Sequence, residues 1–260
     1  MTGTSALPPL PHHLDRTVVI EAPREIVFRF FTDQTRWAAW WGAGSTIDPK
    51  PGGALLIRYP DGSEVLGEVL DVDAPERISF TYGYASGKMI APGGSRVTIR
   101  LEADPRGTRL HFMHEFAEAA VRDMHVQGWR YHLSLFGNIV SNELHADAAA
   151  AVDEWLAVWA EEDAAKRRER LGAIVTRGVR FRDRYSLMDG VDELNDQLGA
   201  VQRFMPGLRM ERRGDVRQCQ GTVLADWVAL TKDDQERGRG TNVFALGPSG
   251  KIESVYGFWI

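Results

Sequence analysis

From about Glu118 to Leu144 the chain reads as one long apolar helix, and this stretch constrains what can surround it. Val121, Met124, Gly128, Tyr131, Leu135 and Ile139 step by three or four residues, as one face of an α-helix must. Val126, Trp129, Leu133, Phe136, Val140 and Leu144 keep the same spacing about 140° further round, at roughly 100° per residue. Few positions are left for water. The spacing therefore predicts a helix laid on a sheet and covered a second time by another domain or subunit. Gly128 in its interior costs about 1 kcal/mol against Ala, which points to close approach of a strand or a ligand at that position.

The residues before this helix supply its sheet. Thr17-Val18-Val19-Ile20 is a short strand, and Pro23 opens a helix where a missing N–H costs nothing. Ile26, Val27, Phe30 and Phe31 form its buried face, and Asp33 can cap a second helix carrying Trp37, Trp40 and Trp41. From Gly42 to Glu115 strands alternate with turn sequences such as Pro51-Gly52-Gly53, Asp61-Gly62 and Arg106-Gly107. Leu55, Ile57 and Tyr59 share a strand face, as do Ile78, Phe80, Tyr82 and Tyr84, and again Val97, Ile99 and Leu101. This is an antiparallel sheet with one wet face and one covered face, and the long helix is the cover. The order is that of a helix-grip fold.

Trp37-Ala38-Ala39-Trp40-Trp41-Gly42, Gly67-Glu68-Val69, Pro75-Glu76-Arg77-Ile78-Ser79-Phe80, Gly107-Thr108-Arg109-Leu110 and His125-Val126-Gln127-Gly128-Trp129 resemble the START-like (SRPBCC) superfamily. The branch is the one named after the activator of the heat-shock-protein-ninety ATPase, and the likeness covers residues 14–145. It implies a hydrophobic cavity between sheet and helix, suited to lipids, sterols or polyketides.

A junction is expected at Ala146 to Ala151, then a helix from about Val152 with Trp155, Val158 and Trp159 on one side. The charged run from Glu161 to Arg170 mixes both signs and reads as a solvated face. A short strand at Val179–Asp183 and a helix through Leu194, Leu198, Val201 and Phe204 come next. Strands follow at Leu208–Arg212, Arg217–Leu230, Arg239–Leu246 and Ile252–Ile260, with a turn at Arg213-Gly214-Asp215. Phe181-Arg182-Asp183, Gly190-Val191-Asp192-Glu193-Leu194, Phe204-Met205-Pro206-Gly207 and Trp227 resemble the SnoaL-like branch of the nuclear-transport-factor-two-like superfamily, over residues 152–260. The fold class is thus α+β twice over, a helix-grip sheet with a long C-terminal helix followed by a cone-shaped α+β barrel. The second resemblance implies that Asp183 stands where the isomerase branch keeps its proton-shuttling carboxylate. Trp155 stands at the phenol position of that branch and Asn242 at its protonated aspartate, both still able to donate a hydrogen bond. Arg184 replaces the usual proline and is placed to pair with Asp183 and hold its pKa down.

Function classes can be narrowed further. With 31 basic and 36 acidic side chains the formal net charge is −5, and no basic stripe interleaved with aromatics suggests nucleic acid. A single cysteine, Cys219, excludes an internal disulfide framework and a Cys-based metal cluster, and points to a reducing cytoplasm. Residues 1–13, rich in Pro and small side chains, read as a disordered arm and not as a signal peptide. No run approaches the roughly 18 apolar residues of a membrane span. His111 and His114 fall on opposite strand faces. His125 and His132 stand about 10 Å apart along a helix at 1.5 Å per residue, too far for one metal ion. No metal and no cofactor is therefore expected. Trp41, Tyr82, Phe112, His114 and Trp129 are the candidate cavity-lining residues of the first domain, and Trp227 of the second. The function expected is binding of a small hydrophobic or amphipathic molecule. The alternatives are a polyketide- or steroid-type cyclase or isomerase with Asp183 as base, and a second domain that serves chiefly for homodimerisation.

Overall fold

Short turns between alternating strands make hairpins, and hairpins build most of both sheets. The computed structural model describes residues 9–260, and the chain divides into two α+β units between Val140 and Ser141. Most of the arm expected at residues 1–13 lies outside the described residues. His12 and His13, however, belong to a strand.

In the first unit β1 (His12–Ile20), α1 (Arg24–Arg29) and α2 (Gln34–Trp41) precede six strands. These are β2 (Thr46–Ile47), β3 (Ala54–Arg58), β4 (Glu64–Asp73), β5 (Arg77–Tyr84), β6 (Ser95–Asp104) and β7 (Gly107–Phe116), after which α3 (Ala119–Leu144) closes the unit. The seven strands form one antiparallel sheet in the order β1-β7-β6-β5-β4-β3-β2. β1 is longer than its Thr17–Ile20 apolar core because β7 offers a partner for every residue back to His12, which pairs with Phe116. Asp33 does cap α2, its carboxylate accepting the Arg36 N–H at 2.9 Å.

The covered face is filled with aromatics. Trp40 stacks on Trp41 with ring centroids 3.9 Å apart and meets Phe136 of α3 at 4.9 Å. Phe31 stacks on the same Phe136 at 5.1 Å. On α3 the stripe through Trp129, Leu133, Phe136 and Val140 is the buried one, joined by Val121 and His125. Of the first stripe, Val121 is buried within the unit, whereas Met124 and Tyr131 are 59% and 64% exposed on the single chain. Close approach to the helix occurs at Gly137 instead, where an added Cβ would meet the Ile20 side chain at 3.3 Å. A Cβ on Gly128 would meet nothing within 4 Å.

The second unit holds α4 (Ala148–Ala157), α5 (Ala164–Ile174), β8 (Val175–Arg182), β9 (Leu187–Asp189), α6 (Val191–Phe204), β10 (Arg209–Cys219), β11 (Thr222–Leu230), β12 (Glu236–Leu246) and β13 (Ile252–Trp259). The alanines expected to form a junction begin α4, consistent with alanine's high helix propensity. Its six strands run β10-β11-β12-β13-β8-β9, with β13 and β8 parallel. The sheet stays open, and its edge strands β10 and β9 do not close a barrel. Arg213-Gly214-Asp215, expected to be a turn, is a bulge within β10, where the register shifts between Arg213 and Arg217. The hairpin turn lies at Gln220-Gly221, where both residues have positive φ, 46° and 78°, as a type I′ turn requires.

One further departure concerns charge. Arg167, in the run expected to be solvated, is only 2% exposed. Its Nε donates to Asn195 Oδ1 at 3.0 Å and its Nη1 to the Glu161 carbonyl at 2.6 Å. Four residues earlier, Asp163 caps α5 by accepting the Ala165 and Lys166 N–H groups, each at 2.9 Å.

Candidate functional site

Register decides which aromatic residues meet. Tyr82 and Tyr84 lie two apart on β5 and so share a face. Tyr59 follows β3, and its hydroxyl is 2.9 Å from that of Tyr82. From α3 come His125, Gly128, Trp129 and His132, spaced so that they line one side of the helix. Together they wall a cleft of about 240 Å³. Met89 from the β5–β6 loop, Met124 from α3, and Asp61 and Ser63 from the β3–β4 turn complete its rim.

The polar atoms of this wall are tied to each other. His125 Nδ1 lies 2.8 Å from the Val121 carbonyl. A carbonyl only accepts, so Nδ1 carries the proton and Nε2 accepts from the Tyr84 hydroxyl at 3.3 Å. Behind the wall, Trp129 Nε1 donates to His114 Nδ1 at 2.9 Å. That fixes His114 as its Nε2–H tautomer, bonded to Ser95 Oγ at 2.8 Å. Ser95 in turn donates to the Tyr82 carbonyl at 2.7 Å. His114 thus sets the orientation of Trp129 from inside the core, with no exposure of its own.

Burial keeps the phenols and imidazoles of the site uncharged. It raises the Tyr59 and Tyr82 phenols above the ordinary tyrosine range. Desolvation lowers His114, with a smaller push from His125, and lowers His125 itself. His132 is lowered to about 4 by burial alone. Its Nδ1 and the Trp41 Nε1 are both buried without a hydrogen-bond partner, with the two rings 5.1 Å apart. Asp61 is the one formal charge on the lining, and two hydrogen bonds from Ser63 hold its carboxylate below the usual range.

The histidine shifts give a pH expectation. In the unfolded chain an imidazole titrates near 6.5, whereas His132 in the fold takes its proton only near 4. Between those values the unfolded state binds more protons, so the stability that neutral His132 contributes above pH 6.5 is lost as pH falls towards 4. Thermal denaturation followed from pH 7 to pH 4 is expected to show this decline, and His132→Phe is expected to flatten it. An unchanged slope in the variant would show that His132 is not its source.

Of the residues expected to line a cavity in the first unit, Tyr82 and Trp129 face the cleft. Trp41, Phe112 and His114 do not line it, and their rings fill much of the space expected for a ligand; Tyr82 and Trp129 are themselves only 1% and 4% exposed. Tyr59, Tyr84, His125 and His132 also line the cleft, although their sequence positions mark them only as strand-face and helix residues. The signals were present, since both tyrosines end faces already read as apolar and the histidines flank Trp129 on one helix face.

In the second unit Asp183 and Asn242 come together on either side of Gly257. A Cβ there would meet Asn242 Oδ1 and Asp183 Cβ, each at 3.1 Å. The expected Asp183–Arg184 pair is not formed, because the Arg184 guanidinium lies 5.5 Å over the Tyr185 ring. Instead Asp183 accepts the Tyr185 N–H at 2.8 Å and the Trp259 indole N–H at 3.2 Å. Asn242 Oδ1 accepts the Trp227 indole at 2.9 Å. Trp155 is fully buried against Phe181 and Phe244, at 5.6 and 6.0 Å, its N–H donating to no partner. The geometry makes Asp183 a clasp for the end of β13, and Trp227 part of the core.

Among the described residues no group of three or more His, Cys, Asp and Glu is placed to hold a metal ion. No helix among the described residues is long and apolar enough to cross a membrane. None of the curated proteins compared with the chain matches it. Among solved structures, a SnoaL-like family protein from Agrobacterium tumefaciens is 24% identical, over 45% of this chain and 98% of its own, with a TM-score of 0.42. CalU16 from Micromonospora echinospora is 23% identical over 51% and 76%, with a TM-score of 0.40. The Aha1 dimer from Colwellia psychrerythraea is 16% identical over 47% and 90%, with a TM-score of 0.41. Residues 21–141, which contain every residue of the cleft, match the model of the family described as Activator of Hsp90 ATPase homolog 1-like protein.

Proposed function

We propose that the first unit binds a small amphipathic molecule in the tyrosine–histidine cleft, without transforming it. The observation that carries this is the cleft itself. It is an opening of about 240 Å³ beside the aromatic core, with neutral hydrogen-bonding groups on one side and methionines at its rim. A few convergent polar atoms in an apolar concavity are what a small-molecule site needs for orientation. The thioethers of Met89 and Met124 adapt to irregular shapes at little strain. Met89 also stands in the left-handed region, at φ 64°, a conformation that favours glycine and is kept at ligand clamps more often than elsewhere.

The first test is native mass spectrometry of the protein purified gently from its own host, where an added small mass on the chain is expected. The second is Gly128→Leu. The position faces open space, so the new side chain enters the cleft without displacing backbone. Leucine also removes the helix penalty of glycine, about 0.8–1 kcal/mol. The variant is expected to be at least as stable as the parent and to lose the added mass. Retention of that mass by a folded Gly128→Leu protein would place the ligand elsewhere and overturn the reading.

A further inference from the structure

The lining of the cleft is one-sided in charge and in hydrogen-bonding capacity. No Lys or Arg faces it, and its one formal charge is the Asp61 carboxylate. Asp61 Oδ1 accepts both the Ser63 N–H and the Ser63 hydroxyl, at 2.9 and 2.7 Å, and Oδ2 takes part in neither bond. A carboxylate fixed in this way at the rim repels an anionic ligand and attracts a cation.

The phenols point the same way. Tyr84 spends its hydroxyl hydrogen on His125, and either Tyr59 or Tyr82 spends its own on the other. Of the three phenolic hydrogens, two are therefore used inside the wall, while the oxygen lone pairs remain. Even with the one N–H of neutral His132 counted, the cleft offers more acceptor than donor sites, which favours a ligand that supplies hydrogens. The aromatic rings add a third element. Tyr82 meets Tyr84 at 85° and Trp129 at 52°, with centroids 5.8 and 6.3 Å apart, so three aromatic rings of different orientation border the one cleft. Ring faces carry negative electrostatic potential and attract ammonium groups.

Resting on the binding reading above, we infer that the ligand is an organic ammonium compound, an amine joined to a small apolar body. The ammonium group is seated among Tyr59, Tyr82, Tyr84 and Trp129 and faces Asp61 at the rim.

Three isosteric probes test this on the full chain: 2-phenylethylamine, 2-phenylethanol and 3-phenylpropionate, titrated by calorimetry at pH 7. The amine is expected to bind at least tenfold tighter than the alcohol, and the carboxylate more weakly than either. Asp61→Asn is expected to weaken the amine about threefold and to leave the alcohol unchanged. Gly128→Leu is expected to abolish binding of all three. An alcohol or carboxylate that binds as tightly as the amine overturns the ammonium assignment while leaving small-molecule binding intact. An amine preference that survives in Gly128→Leu overturns it too, because the cation would then sit elsewhere. If none of the three binds, the assignment fails, and the mass-spectrometric result decides separately whether the cleft holds any ligand.

Discussion

Trp40→Ala is expected to destabilise the first unit by about 3–5 kcal/mol, the range for removing a large aromatic from a packed core. Trp40 is 1% exposed and lies where α2 meets α3. Its ring touches Phe31, Trp37, Trp41 and Phe136, with centroids between 3.9 and 6.0 Å. Its indole N–H also reaches the Phe30 carbonyl at 3.4 Å. Alanine leaves a void bordered by rigid rings, which cannot collapse into it as flexible aliphatic chains could. Hydrogen exchange read peptide by peptide provides the check. Protection in α3 and β5 is expected to fall by two orders of magnitude or more, and Trp40→Phe is expected to recover part of it. A loss below about 1 kcal/mol would mean that the tryptophan cluster does not hold helix to sheet.

Arg167→Ala is expected to cost the second unit about 3 kcal/mol, the scale for removing one member of a buried charged network. The guanidinium is buried and its hydrogen bonds go to carbonyl oxygens, with the Asp163 carboxylate acting on it only at longer range. It bonds the Glu161 and Glu162 carbonyls before α5 and both oxygens of Asn195 on α6. Truncation removes the donor and leaves those acceptors facing a void. Arg167→Lys is expected to rescue little, because one ammonium cannot span both segments as the planar fork does. Urea unfolding gives the measurement, and equal midpoints for parent and alanine variant would reject the linking role.

Elements with strong local signals could be read from the sequence. Alternation placed β5 and β6, Asp33 marked the start of α2, and the stripe through Trp129 and Phe136 identified the buried side of α3. What failed depended on distant partners. Whether Gly214 turns the chain or bulges a strand is decided by the pairing of Arg213 with Asp226 and Arg217 with Leu224. Nothing around Arg167 in sequence announces Asn195, which supplies its bonds from 28 positions away. The cleft was half legible. Tyr82 and Trp129 could be named because each stands on a periodic face. Tyr59 and His125 acquire meaning only when the β3–β4 turn and α3 are brought against β5. Trp41 and Phe112 were chosen for the right face, but a face does not tell how deep a ring lies.

The position of β13 has a consequence for the order in which the chain is made. It lies between β12 and β8, so a ribosome that has delivered everything up to Leu246 has released two separate pieces of sheet. On one side β10, β11 and β12 are already joined as hairpins, and on the other β8 and β9. Each presents an unfilled edge to the same missing strand. The parallel pairing of Ser254 with Arg180 spans 74 positions, so loop-closure entropy opposes it until late. The second unit therefore completes its sheet only once residues 252–259 are free of the exit tunnel. During that interval the facing edges of β12 and β8 stay open to pairing with other chains.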